Sequence, residues 1–131
     1  MLRMAVETFY LKMTNETASI QFQEEIDLDG FTCGVIEMKG KITPTVEEEH
    51  IFLCANFIKE SIFPEGKIPV LRRIPCDENG VIDTKFDKIL WLPINREKIS
   101  EIKLYISDSL GNVPSFENVT LNCTLVCIPE F

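Results

Sequence analysis

The stretch Val119-Thr120-Leu121-Asn122-Cys123-Thr124-Leu125-Val126-Cys127 decides the fold class. Val119, Leu121, Cys123, Leu125 and Cys127 fall on one side of an extended chain. Thr120, Asn122 and Thr124 fall on the other. Side chains alternate across a strand with a period of two, so this reads as a strand with one buried face. A slip of one residue would turn the whole apolar stripe to solvent, which fixes the register.

The same alternation continues outward from that strand. Ile102, Leu104 and Ile106 share a face against Lys103, Tyr105 and Ser107, and Asp108 to Asn112 turns the chain. Phe86 to Leu92 reads as a strand stopped by Pro93, and Asp77-Glu78-Asn79-Gly80 before it is the strongest turn signal in the sequence. Lys67 to Ile74 is a strand whose Pro69 places it at an edge or a bulge. Phe63 to Gly66 is a turn. Ile51 to Phe57 suits a buried, pleated surface better than a short helix. Phe31 to Met38 alternates Phe31, Cys33 and Val35 inward, with Gly34 marking a bulge or a weak point. Lys39-Gly40-Lys41 and Thr43-Pro44-Thr45 read as breaks, and Asp29-Gly30 as a turn. Near the start, Phe9, Leu11 and Met13 on one run and Ala18, Ile20 and Phe22 on the next, joined by Thr14 to Thr17, read as a hairpin. The sum is about eight strands and no long helix. The expectation is an all-β, eight-stranded single jelly-roll β-sandwich, one domain over residues 1–131.

Composition narrows the function. The chain carries 13 Lys+Arg against 21 Asp+Glu, a net charge of −8. That balance argues against direct nucleic-acid binding, which needs cations to neutralise phosphates. Hydrophobic residues at 45% and charged residues at 26% describe a folded domain, not a disordered one. No apolar run approaches the roughly 20 residues of a membrane span, and Met1 to Val6 lacks the apolar core of an export signal. With no such signal, the five cysteines Cys33, Cys54, Cys76, Cys123 and Cys127 are expected as reduced thiols inside a cell. The glycosylation-type triplets at Asn15, Asn118 and Asn122 then read as chance.

No constellation for catalysis, cofactor binding or metal ligation emerges. A cupin-type metal centre needs clustered imidazoles, and His50 is the one histidine. It reads as a surface residue beside the solvated run Glu47-Glu48-Glu49. A Cys–His nucleophile pair has no support from spacing. Cys123 and Cys127 lie roughly 13 Å apart along a strand. That is too far for two zinc ligands with Zn–S near 2.3 Å. They read as small core hydrophobes. Asp27 and Asp29 make a turn without the ligand density of a calcium site. Arg72 and Arg73 read as surface cations, with carboxylates across an interface as the sharper alternative.

Two segments carry a resemblance. The first is Ile26-Asp27-Leu28-Asp29-Gly30 followed by Gly34-Val35-Ile36-Glu37-Met38. The second is Leu92-Pro93-Ile94-Asn95-Arg96, then Ile99, Ile102 to Asp108, Gly111-Asn112, Phe116 and the strand from Val119 to Leu125. Together they resemble the penton-like and minor-capsid jelly-roll proteins of Polinton/Maverick elements, adintoviruses and virophages. The resemblance implies a structural capsid protein with no catalytic residues. Such a protein self-assembles into ring-shaped homo-oligomers, pentamers favoured, at capsid vertices beside a major capsid protein. It implies a virion location, with assembly inside the cell. Interface residues are then expected in strand ends and loops such as Pro64–Pro69 and Asp108–Phe116. The alternative function is a β-sandwich that binds a ligand or receptor, including a host-retained copy of a capsid protein. A lectin of that kind would show exposed aromatics flanked by Asn, Asp and Gln.

Overall fold

The computed structural model describes residues 6–15, 17–44, 51–63, 66–74, 81–95, 98–108, 112 and 116–129. Among them are eleven strands and no helix. These are β1 (Glu7–Met13), β2 (Thr17–Asp27), β3 (Phe31–Pro44), β4 (Phe52–Ala55), β5 (Ser61–Phe63) and β6 (Gly66–Ile68). They continue with β7 (Val70–Arg73), β8 (Val81–Lys85), β9 (Leu92–Pro93), β10 (Lys98–Ser107) and β11 (Phe116–Pro129). The first sheet runs β1-β11-β3-β8, with β9 also pairing β3. The second runs β2-β10-β4-β7, and β5 and β6 form a separate hairpin. Every pairing is antiparallel.

The two sheets bury their inner faces against each other in one core. From the first come Phe9, Leu11, Met13, Val35, Met38, Ile42, Ile82 and the stripe Val119, Leu121, Cys123, Leu125 and Cys127. From the second come Leu53, Ala55, Leu71, Ile99, Ile102, Leu104 and Ile106. Apolar burial at roughly 25 cal/mol per Å² is what holds such layers together. A smaller cluster of Phe52, Cys54 and Ile68, with Val70 and Tyr105 against it, lies on the opposite, outer side of the second sheet. There Ile68 brings the β5–β6 hairpin down over β4.

Several expectations change. The two N-terminal strands are not a hairpin: β1 pairs β11 and β2 pairs β10, in different sheets. Their apolar faces meet across the core instead, with the Phe9 and Phe22 rings 5.9 Å apart. Alternation reports which face is buried, not which neighbour lies alongside. Lys39-Gly40-Lys41 is no break, since β3 continues through it and pairs both β11 and β8 there. Phe86 to Trp91 is not a strand, and Leu92 opens the two-residue β9. The strand lies before Phe86, at Val81–Lys85, where Ile82 alone is buried and gave too little apolar signal. The expected strand Lys67 to Ile74 is split at Pro69 into β6 and β7, and β7 is the edge of the second sheet. The pairing of β4 with β7 shifts register between Leu53 and Cys54, at Leu71 on β7, and beyond it the Pro69 carbonyl accepts a hydrogen bond from the Ala55 N–H at 3.1 Å. The Asp77 to Gly80 turn lies outside the described residues. The stripe from Val119 to Cys127 is buried as expected, and its strand continues at both ends.

Candidate functional site

The residues singled out for chemistry do not converge. Cys123 and Cys127 both point into the core, but opposite different partners. Cys123 sits between Leu11 and Met38, and Cys127 between Glu7 and Cys33. Asp27 closes a local turn, its Oδ1 accepting the Asp29 N–H at 3.0 Å. Gly30 follows with φ +73, a backbone that a residue without Cβ adopts at low cost. The Phe31 N–H then donates to the Leu28 carbonyl at 3.0 Å and starts β3. Among the described residues no group of three His, Cys, Asp or Glu is placed to hold a metal ion. His50 and Glu47 to Glu49 lie outside those residues. Arg72 is engaged within the chain. Its guanidinium stacks over the Phe86 ring at 4.0 Å and donates to the Lys88 carbonyl at 3.1 Å. Arg73 is exposed.

The buried thiols are electrostatically quiet. Burial pushes Cys54 up to about 12 against the hydrogen bonds of Ser107 and Tyr105, and burial alone pushes Cys123 up to about 12. Cys33 is pushed up by its hydrogen bond to Cys127 first and by burial second. A thiol held protonated is a poor nucleophile and a poor metal ligand.

What the fold does organise is surface. On the outer face of the first sheet, Tyr10 projects with 76% of its area exposed, opposite Thr124 on β11. Val126 lies beside it on that face, between Thr8 and Gly34. The segment between β8 and β9 crosses here. A side chain at Gly34 would strike the Leu90 carbonyl at 2.8 Å and the Trp91 ring at 3.3 Å. Leu90 and Trp91 remain exposed above it, and Val6 is exposed at the start of β1. Among the described residues the exposed large apolar side chains are Val6, Tyr10, Leu90, Trp91 and Val81.

The two flanks of the sandwich differ in charge. One flank is formed by the edge strands β1 and β2. It carries Glu7, Glu24, Glu25, Asp27 and Asp29 against Lys12 among the described residues. The opposite flank is formed by β7 and β8. It carries Arg72, Arg73, Lys85 and Lys88 against Asp83 and Asp87 among the described residues. The loop regions expected to hold interface residues are only partly described. In one, Gly66–Ile68 forms β6 and buries Ile68. In the other, the Asn112 N–H donates to Asp108 Oδ1 at 3.0 Å, and the Asp108 N–H donates to the Asn112 carbonyl at 2.9 Å. Sequence reading missed that the β8–β9 connection crosses the outer face of the first sheet at Gly34, because the crossing joins distant stretches of chain.

No family model matches the chain, and no curated protein matches it.

Proposed function

We propose that this protein is an eight-stranded jelly roll of the penton-like or minor-capsid kind, a structural protein that works by packing copies of itself side by side. The observation that carries the reading is strand order. Set aside the β5–β6 hairpin and the two-residue β9, and eight strands remain. Renumbered in chain order, they lie 1-8-3-6 in one sheet and 2-7-4-5 in the other. That is the order in which a jelly roll's two Greek keys interleave. The sequence resemblance adds the capsid role, since fold alone does not assign function.

The surface supports self-association. Among the described residues both sheets end in strands paired on one side, β1 and β8 in the first and β2 and β7 in the second, and a neighbouring copy would cover such edges. An acidic flank on one side and a basic flank on the other suit a head-to-tail contact, and repetition of such a contact closes a ring. Ring size is proposed as five, beside a major capsid protein. The output is shape, with no reaction catalysed. Light scattering with negative-stain microscopy tests this: the expected result is ring-shaped oligomers at high micromolar concentration. A strict monomer there, with no assembly alongside a capsid partner, overturns it.

The exposed pair Tyr10 and Trp91 favours a second reading, a β-sandwich that binds a ligand on its outer face. Amphipathic rings on a rigid sheet stack on flat apolar surfaces of small molecules. A glycan array showing binding by a protein that remains monomeric would select it.

A further inference from the structure

We propose that Cys33 and Cys127 are a redox site, closing to a cross-strand disulfide when the folded protein meets a disulfide-type oxidant and reopening when it meets excess thiol. This does not depend on the capsid reading. The two residues are direct partners in the antiparallel pairing of β3 and β11. Directly opposed antiparallel residues have Cα atoms about 4.5 or 5.5 Å apart. A disulfide needs Cα atoms within roughly 4.4–6.8 Å, so neither backbone has to move far. Both side chains point into the core with no exposed area, and their thiols are in hydrogen-bond contact. Both are free thiols in the structure.

Position supplies the access that burial denies. The register row through the pair reads Glu7, Cys127, Cys33, Leu92. Its outer member on the β3 side belongs to β9, a strand of two residues. On the other side β1 begins at Glu7. The row is near the end of the sheet, where local opening costs least, so global unfolding is not required. The neighbouring cysteines differ. Cys123 faces Leu11 and Met38, and Cys54 faces Tyr105 and Val70, so neither has a cysteine opposite it.

The chemistry balances with oxidised glutathione as the oxidant. Once the end of the sheet opens and water reaches the pair, one thiol loses its proton to solvent and its sulfur attacks the glutathione disulfide. That S–S bond breaks and releases one glutathione thiolate. The second cysteine then loses its proton and attacks the mixed disulfide, expelling the second glutathione. The protein loses two hydrogens and two electrons, and the oxidant gains them. The cross-link closes a loop of roughly 95 residues, long enough to restrict the unfolded chain strongly.

The test uses the folded full chain, incubated with excess oxidised glutathione near pH 8.5, quenched in acid and mapped by mass spectrometry. The expected product has lost two hydrogens and joins the Cys33 and Cys127 peptides. Its Tm rises by roughly 10 °C and returns to the starting value with dithiothreitol. Cys33→Ser and Cys127→Ser abolish the rise, and Cys123→Ser keeps it. Should the serine variants fail to fold, mapping of the unaltered chain still decides. Both thiols left free, a lasting glutathione adduct on either, or a link to a different cysteine overturns the proposal.

Discussion

Gly40 lies on β3 opposite Leu121 of β11. A Cβ there would overlap the carbonyl of Thr120, a backbone atom that cannot swing aside, and φ is +154. Gly40→Ala is therefore expected to cost about 3 kcal/mol, read as a lower urea midpoint. Gly30 gives the contrast, because open space surrounds its Cβ position and only φ +73 opposes a side chain. Gly30→Ala is expected to cost about 1 kcal/mol by the same measurement. The thiols add a pH dependence. In the unfolded chain Cys54 and Cys123 ionise near 9.0, and in the folded protein they keep their protons up to about 12. Between those values the unfolded state binds fewer protons. The stability these thiols contribute, whole below pH 9, is therefore lost as the pH rises toward 12. Each removes about 1.4 kcal/mol per pH unit there. Urea titrations at pH 8, 9 and 10 check this, and Cys123→Ala is expected to flatten the decline by one thiol's share. The stripe from Val119 to Cys127 was legible because alternation alone shows which side is buried. Gly40 was misread as a break because its reason is the Thr120 carbonyl, 80 positions away in sequence.

At the scale of elements, β10 depends on a side chain outside itself. Its pairing with β2 shifts register between Ile99 and Glu101, which disturbs the ladder at that point. Asn56, following β4, repairs the other edge. Its Oδ1 accepts the Lys103 N–H at 2.8 Å, and its Nδ2 donates to the Glu101 carbonyl at 3.1 Å. The Asn56 backbone N–H adds a bond to the Lys103 carbonyl at 3.1 Å. Asn95 extends the tie toward the first sheet, with Nδ2 donating to the carbonyls of Asn56 and Ile58 at 3.3 Å each. Asn56→Ala leaves a backbone donor and an acceptor unpaired and is expected to cost about 2–3 kcal/mol with an unchanged urea slope. Asn56→Asp keeps the acceptor and loses the donor, so it is expected to fall between the two. Chain pattern gave no sign of this role: Asn56 read as one polar residue in an apolar run, and only the approach of β10 to β4 supplies its partners. The β1–β2 error has the same origin. Asn15 Oδ1 accepts the Thr17 N–H at 3.0 Å in a tight local turn, yet that turn carries the chain to the facing sheet.

For the whole molecule, the arrangement of charge makes a claim that neither residue nor element can make alone. Arg72 bridges β7 to the segment after β8 through Phe86 and Lys88, so the cations of both edge strands share one flank. Glu24 and Glu25 stand exposed on the other. If copies meet flank to flank, association falls as salt screens the contact over a Debye length of about 10 Å at 0.1 M. Glu24→Lys with Glu25→Lys is expected to weaken self-association at least tenfold by light scattering. Arg73→Glu with Lys88→Glu is expected to do the same, and Arg72 is left intact because it packs within the chain. Combining all four substitutions in one chain restores opposite signs across the contact, so oligomers return. Undiminished association in both pairs would place the contact elsewhere, on the first sheet's outer face, where Tyr10→Lys and Trp91→Lys would then be the substitutions that dissociate it.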